Sequence, residues 1–324
     1  MMRTSILTFL ALLFLGSCDT IDIPEVSLNE SKIDVGHFDH SFFEIDSTNF
    51  LEDIEDLAEK FPKFFGSNLN HSDLLSRYKD PKLIELFLAV DSVFSDTLTL
   101  NREIIQSFKY FHHYFPSHDS LQIYSWVSNF ESLNSITVSG NTILVALDLY
   151  LGAKSRFYKT APQYLKDFFD KRYLVSDIMQ HYFQSNIPFL KDNTLLSSML
   201  YYGKIHYLTS LMIPYQKSDI VIKYTPAKMQ WCYENEGNVW AYFVENKLLF
   251  SSQHQNKQRF IEEAPFSKFY TEFDTKTPGR IGQWLGWRII ESYMKSHPEM
   301  SLTDLINEQD AQKILRESRY KPKQ

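Results

Sequence analysis

Apolar residues spaced three and four apart dominate this chain, and alternation is confined to a few short stretches. Leu51, Ile54, Leu57, Ala58 and Phe61 follow that spacing and predict a helix over 49–61. Glu52, Asp53, Glu55, Asp56 and Glu59 fill its other side, as on a solvated helix face. The same period predicts helices over 82–94 and 101–114, the second with Ile104, Ile105, Phe108, Phe111 and Phe115 along one side. Alternation at Ile33-Asp34-Val35 predicts a strand ending near Phe42 or Phe43, and 121–127 and 136–149 read as further strands. Gly140-Asn141 separates Ile136–Val138 from Ile143–Leu147, the two-residue signal of a hairpin. From Pro162 onward the pattern is nearly all helical: 162–170, 174–183, 194–211 and 226–246. A further helix starts at Pro278-Gly279 and carries Ile281, Trp284, Leu285, Trp287, Ile289 and Ile290. Two short helices follow, the first capped by Ser301 with Asp304 three residues on. These patterns predict an α+β fold, mostly helical with a small antiparallel sheet, in one globular domain over 32–324.

The first 31 residues fall outside that pattern. Met1–Ser5 carries one positive charge, Arg3, and Ile6–Leu15 is apolar except for Thr8. Such a run is shorter than the roughly 20 apolar residues a spanning helix needs, and has the layout of a secretory signal. Gly16 and Ser17 then precede Cys18, which matches a bacterial lipoprotein signal. Residues 1–17 are expected to be removed and Cys18 acylated as the first residue of the mature chain. Residues 18–31 are polar, with Pro24 and no helical period, and read as a flexible tether. At about 3.3 Å per residue an extended tether of this length reaches roughly 40 Å.

Composition narrows the function classes. A formal charge of −7 offers no general attraction to nucleic acid or to anionic lipid. With Cys18 lipidated, Cys232 has no partner for an internal disulfide and reads as a small buried apolar residue. The chain is long enough to bury a substantial core without such a bond.

Few motifs carry chemistry. Gly279, Gly282 and Gly286 lie on a predicted helix rather than after a strand, so they form no phosphate loop. No serine stands in a nucleophile elbow. His112 and His113 are neighbours pointing about 100° apart on a helix, which suits surface positions and not joint chelation. His37 and His40 have no third ligand near them in the chain. One constellation has metal-site spacing: Asp177-Ile178-Met179-Gln180-His181, on a helix that follows the strands. Zinc peptidases of the zincin type place two histidines four apart, with a glutamate general base after the first. Here Asp177 and His181 hold the ligand positions, while Ile178 holds the base position and cannot accept a proton. An ordinary i, i+4 side-chain pair accounts for the two residues.

Several longer stretches resemble the gliding motility-associated lipoprotein GldB family of Bacteroidetes-type bacteria. They are Leu195-Leu196-Ser197-Ser198-Met199-Leu200-Tyr201-Tyr202-Gly203-Lys204, Trp240 to Leu249, and Ala264-Pro265-Phe266-Ser267-Lys268-Phe269. The most distinctive is Pro278-Gly279-Arg280-Ile281-Gly282-Gln283-Trp284-Leu285-Gly286-Trp287, followed by Tyr293-Met294 and the ending Ser318-Arg319-Tyr320-Lys321-Pro322. With Ala146-Leu147-Asp148-Leu149-Tyr150-Leu151-Gly152, the likeness covers nearly all the mature chain.

The resemblance implies a non-enzymatic, lipid-anchored envelope component of gliding motility, linked to the type IX secretion system. It also implies a place at the outer membrane facing the periplasm, and envelope proteins as partners. The family is similar in order of elements to zincin-like peptidases, which implies a peptidase-like scaffold without an intact metal motif. A third ligand is expected as a glutamate on the following helix, and none stands near Ser197-Ser198. No cofactor is expected, and Asp177 and His181 are at most vestigial metal ligands. Gly282 and Gly286, four apart, are expected to admit a close backbone. Arg280, Trp284 and Lys204 are the expected binding residues if a surface patch does the work. A metallopeptidase, or a degenerate peptidase that binds peptide or glycan, is the alternative.

Overall fold

The computed structural model describes residues 33–65, 70–131, 134–270 and 274–322, together with Val26. The expected signal, Cys18 and, apart from Val26, the expected tether lie outside the described residues. Among the described residues β1 (Ile33–His37) comes first, followed by five α-helices: α1 (Phe38–Phe43), α2 (Phe50–Lys60), α3 (His71–Lys79), α4 (Pro81–Phe94) and α5 (Thr97–Tyr114). Three strands follow, β2 (Leu121–Trp126), β3 (Ile136–Ser139) and β4 (Thr142–Ala146). Then come α6 (Gln163–Lys166), α7 (Leu174–Asn186), α8 (Leu195–Met212), α9 (Ser218–Ile222), α10 (Pro226–Glu234), α11 (Glu236–Glu245) and α12 (His254–Phe260). The last are α13 (Ile281–Ser296), α14 (Leu302–Asn307) and α15 (Ala311–Ser318).

The chain is mostly helical, as its periodicity predicts, but the sheet is mixed rather than antiparallel. Its order is β1-β2-β4-β3, with β1 parallel to β2, β2 parallel to β4, and only β3 and β4 antiparallel. The physical reason is the connections. Gly140 and Asn141 join β3 to β4 in a tight turn, where Gly140 takes φ +55° with open space around it. The five helices between β1 and β2 instead return the chain in its original direction, as parallel pairing requires.

Other expectations shift locally. The first strand ends at His37, and Phe38 starts a helix because Phe38 and Phe42, four apart, stack at 5.7 Å. The expected helix over 226–246 breaks at Asn235, whose side-chain amide donates to the Trp231 carbonyl at 2.9 Å. His112 is buried, with Nδ1 donating to the Phe108 carbonyl at 2.9 Å, rather than lying on the surface. The capping box of Ser301 and Asp304 is present as expected. Cys232 is buried, and burial pushes its thiol pKa up.

Both faces of the sheet are covered. Leu121, Ile123, Ile143 and Val145 join the main core with α4, α5, α7, α8 and α13. Tyr124 points the other way into a smaller cluster of Phe42, Ile45, Phe50, Ile54, Leu57 and Phe61. Helix α8 is buried nearly all round, including Leu195, Met199, Leu200, Ile205, Leu208 and Met212, so it is the central element rather than a surface amphipath. It crosses α13 where two glycines meet. A Cβ on Gly203 would lie 2.4 Å from the Gly286 carbonyl carbon, and one on Gly286 would lie 1.9 Å from the Met199 oxygen. Gly282 faces the Phe260 carbonyl in the same way. The small-residue positions of α13 thus admit neighbouring backbones, as expected.

Candidate functional site

Helix α7 packs against β3 and β4 through its apolar positions and carries the two vestigial ligand candidates. Asp177 is buried, and its carboxylate is fully engaged. Oδ1 pairs with Lys223 Nζ at 2.5 Å and Oδ2 accepts from the Tyr150 hydroxyl at 2.9 Å. Burial first, and then the Asp177 charge, hold the Tyr150 pKa well above its ordinary value. His181 is half-buried and uses Nδ1 to donate to the Asp177 backbone carbonyl at 2.9 Å. The relation between the two residues is therefore through the main chain, not the side-chain pair expected from their spacing. Ile178, at the position of a peptidase base, is fully buried. Among the described residues, no group of three or more His, Cys, Asp and Glu side chains is placed to hold a metal ion.

The Asp177 contact belongs to a larger clamp. Gln180 Nε2 donates to the Val221 carbonyl at 2.8 Å, Arg280 Nη2 donates to the Ile222 carbonyl at 2.8 Å, and Asp177 holds Lys223. Three consecutive residues at the end of α9 are thus gripped by three polar side chains from elsewhere. Lys223 itself takes φ +54°, and its ammonium lies 5.6 Å from the Phe168 ring centre. Breaking one side of a buried ion pair of this kind costs about 3–5 kcal/mol. Lys223 and Tyr150 give no sequence signal, because they are remote from Asp177 in the chain.

Arg280, Trp284 and Lys204 do not form a surface patch. They are 6%, 1% and 0% exposed, so a partner cannot reach them in the folded chain. Arg280 lies over the Phe168 ring at 4.9 Å while it caps Ile222, and Trp284 meets Tyr233 edge to face at 5.9 Å. The Lys204 ammonium donates to the carbonyls of Ile306, at 3.4 Å, and of Glu308, just past the end of α14. There it neutralises the negative end of the helix dipole. Burial lowers its pKa to about 8, with Glu308 opposing that shift. Two residues along α8, His206 Nε2 donates to Gln283 Oε1 at 2.9 Å, and burial pushes that imidazole down to about 3.

His37 at the end of β1 and His40 in α1 are drawn into a polar array that their spacing does not announce. His37 Nδ1 lies 2.9 Å from Ser125 Oγ and its Nε2 lies 2.9 Å from Asn101 Oδ1. Ser125 Oγ in turn donates to Asp39 Oδ1 at 2.5 Å. His40 stands among Asp39, Glu44 and Asp91 at 4.0, 3.7 and 3.7 Å. Sequence reasoning finds the histidines but not Ser125 or Asn101, which reach them only through the sheet and the packing of α5.

Among the described residues, no helix is long and apolar enough to cross a membrane. A model of one family, described as gliding motility protein GldB, matches residues 19–322, starting directly after Cys18. No curated protein and no solved structure matches the chain. The likeness to zincin-like peptidases therefore has no support in these comparisons. On the family match, which runs from residue 19 through the clamp and the α8–α13 crossing to the C-terminal segment, this chain belongs to the GldB family and is a gliding motility-associated component.

Proposed function

We propose that this protein is a lipid-anchored, non-enzymatic part of the gliding machinery in the cell envelope, held by Cys18 and acting by binding other envelope proteins. The observation that carries the reading is the family match, which begins at the residue after a cysteine in lipoprotein-signal context. In this reading the acyl chains supply the anchoring free energy, about 0.8 kcal/mol per buried methylene, with more than one chain needed for stable attachment. The outer membrane, facing the periplasm, is the proposed place, and the secretion-linked motility proteins are the proposed partners. Catalysis has less support. The Asp177 carboxylate is taken by Lys223 and Tyr150, and Ile178 offers no base.

Replacing Cys18 by Ala in the native host tests the anchor. The variant is expected to move from the membrane to the soluble fraction, to remain folded, and to lose gliding. Continued membrane attachment with normal motility would refute the proposal. Stoichiometric zinc in the purified protein, with chelator-sensitive proteolysis, would favour a metallopeptidase instead.

A further inference from the structure

Strand β3 is an outer strand of the sheet: it pairs with β4 on one side and, among the described residues, with no strand on the other. The register tells which of its backbone groups point outward. In an antiparallel pair, residues that exchange hydrogen bonds with the partner strand alternate with residues whose N–H and C=O point away. Ile136 stands opposite Val145, so Ser135 falls opposite Ala146, and the Ala146 N–H donates to the Ser135 carbonyl at 2.8 Å. Ser135, Thr137 and Ser139 therefore serve β4, while Ile136 and Val138 turn their N–H and C=O to the open edge. The far side of β4 agrees. The Gln122 N–H donates to the Asn141 carbonyl at 2.9 Å, so Asn141, Ile143 and Val145 turn to β2, and Thr142, Leu144 and Ala146 turn to β3.

Among the described residues nothing takes up those outward groups. Helix α7 packs on the face of β3 where Ile136 is buried and Val138 half-buried, but no hydrogen bond joins it to the backbone of either residue. Thr137 and Ser139, on the opposite face, are exposed. Burying unpaired N–H and C=O groups is costly, so this edge faces water. Edge strands are commonly guarded by a charge, a proline or a bulge. Ile136-Thr137-Val138-Ser139 has no charge and no proline, and its register with β4 runs without a bulge. Ile136, Thr137 and Val138 are also β-branched, which favours strand pairing. Only one chemistry fits such an edge. Its outward groups recur every second residue, about 6.8 Å apart, and an extended peptide backbone carries complementary groups at that interval. A helix spends its own backbone groups internally. Because β3 offers only a short edge, a flexible segment that adds contacts beyond it suits the site better than a second copy of the same strand.

We propose that the free edge of β3 takes up an extended segment of a partner protein as a further strand of the sheet. Backbone hydrogen bonds to Ile136 and Val138 hold it. Its side chains alternate, apolar on the α7 face beside Ile136 and Val138, and polar on the other face beside Thr137 and Ser139. The inference rests on the protein-binding reading above and names the form in which the partner presents itself.

A fluorescein-labelled peptide, Lys-Thr-Val-Thr-Val-Thr-Lys amide, titrated into the full-length protein in detergent and followed by anisotropy, tests it. Saturable binding is expected, at least tenfold tighter than for the same peptide N-methylated at two successive central nitrogens, which blocks both of its edges. Val138→Pro removes the outward N–H, leaves the bonds to β4 in place, and is expected to weaken binding tenfold or more. Val138→Thr keeps the N–H and is expected to stay within threefold of the wild type. If the proline variant does not fold, amide exchange followed by NMR decides the matter: the Val138 N–H is expected to exchange at least tenfold more slowly once peptide saturates the protein. Equal binding of the two peptides, wild-type affinity in a folded Val138→Pro variant, Val138→Thr as weak as Val138→Pro, unchanged exchange at Val138, or no saturable binding would overturn the proposal. A dimer of this chain that Val138→Pro abolishes would also overturn it, by assigning the edge to a second copy. Envelope crosslinks that fail to form while peptide binding holds would count against the docking function and not against the edge. Intact crosslinks without peptide binding would do the reverse.

Discussion

Lys204 is fully buried on α8, yet its ammonium meets two carbonyls at the end of α14. Its position in the stretch Tyr202-Gly203-Lys204 suggests an exposed charge, and only the approach of α14 shows what it does. Its pKa of about 8 lies below the ordinary 10.5, so burial penalises the charged form. Below about pH 8 that penalty is present in full. Between about 8 and 10.5 the unfolded chain keeps the proton that the folded chain has released, so this group favours folding more as pH rises. The stability of the wild type relative to Lys204→Met is therefore expected to increase by about 2 kcal/mol between pH 7.5 and 10, measured by urea unfolding. A flat difference would mean that the lysine is solvated. Arg280 and Asp177 teach the same lesson. Both stand out in the sequence, one beside Pro278-Gly279 and one at metal-site spacing, and both serve the clamp on residues 221–223.

At the scale of elements, the crossing of α8 and α13 is the tightest joint. The atoms that a new Cβ would strike are backbone atoms, so no side chain can rotate away. Gly286→Ala is expected to cost about 3 kcal/mol, at the upper end of the usual overpacking range, and Gly203→Ala a similar amount. The double variant should cost less than the sum, since one displacement of the helices relieves both clashes. Thermal melts of the four proteins check this, and a change below about 0.5 kcal/mol for Gly286→Ala would contradict the crossing. The long helices were legible because each buries an apolar stripe. Helices α3 and α12 were not: α3 has no buried residue, and α12 buries only Asn256 and Phe260. The hairpin announced itself through Gly140-Asn141. The partners of β1 and β2 did not, since alternation marks a strand without saying which strand lies beside it.

Across the whole molecule the C-terminal segment ties distant helices together. Tyr320 donates to Glu236 Oε1 at 2.7 Å and meets Trp240 edge to face at 5.2 Å, while Arg288 from α13 reaches the same carboxylate at 3.1 Å. Ser292 and Ser296 both donate to the Ser318 carbonyl. Tyr320→Phe leaves Glu236 with one partner fewer and is expected to cost about 1–2 kcal/mol in chemical denaturation. A neutral effect would mean that the segment only rests on the surface. The sequence by itself determined the helical majority, the hairpin and the family, because periodicity, turn chemistry and long motifs are local properties of the chain. Only the tertiary structure decided the parallel pairing, the burial of Arg280, Trp284 and Lys204, and the partners of Asp177. It alone placed Asp39 beside Ser125 and His40. Each of these depends on contacts between residues far apart in the chain, and no local pattern specifies which of them meet.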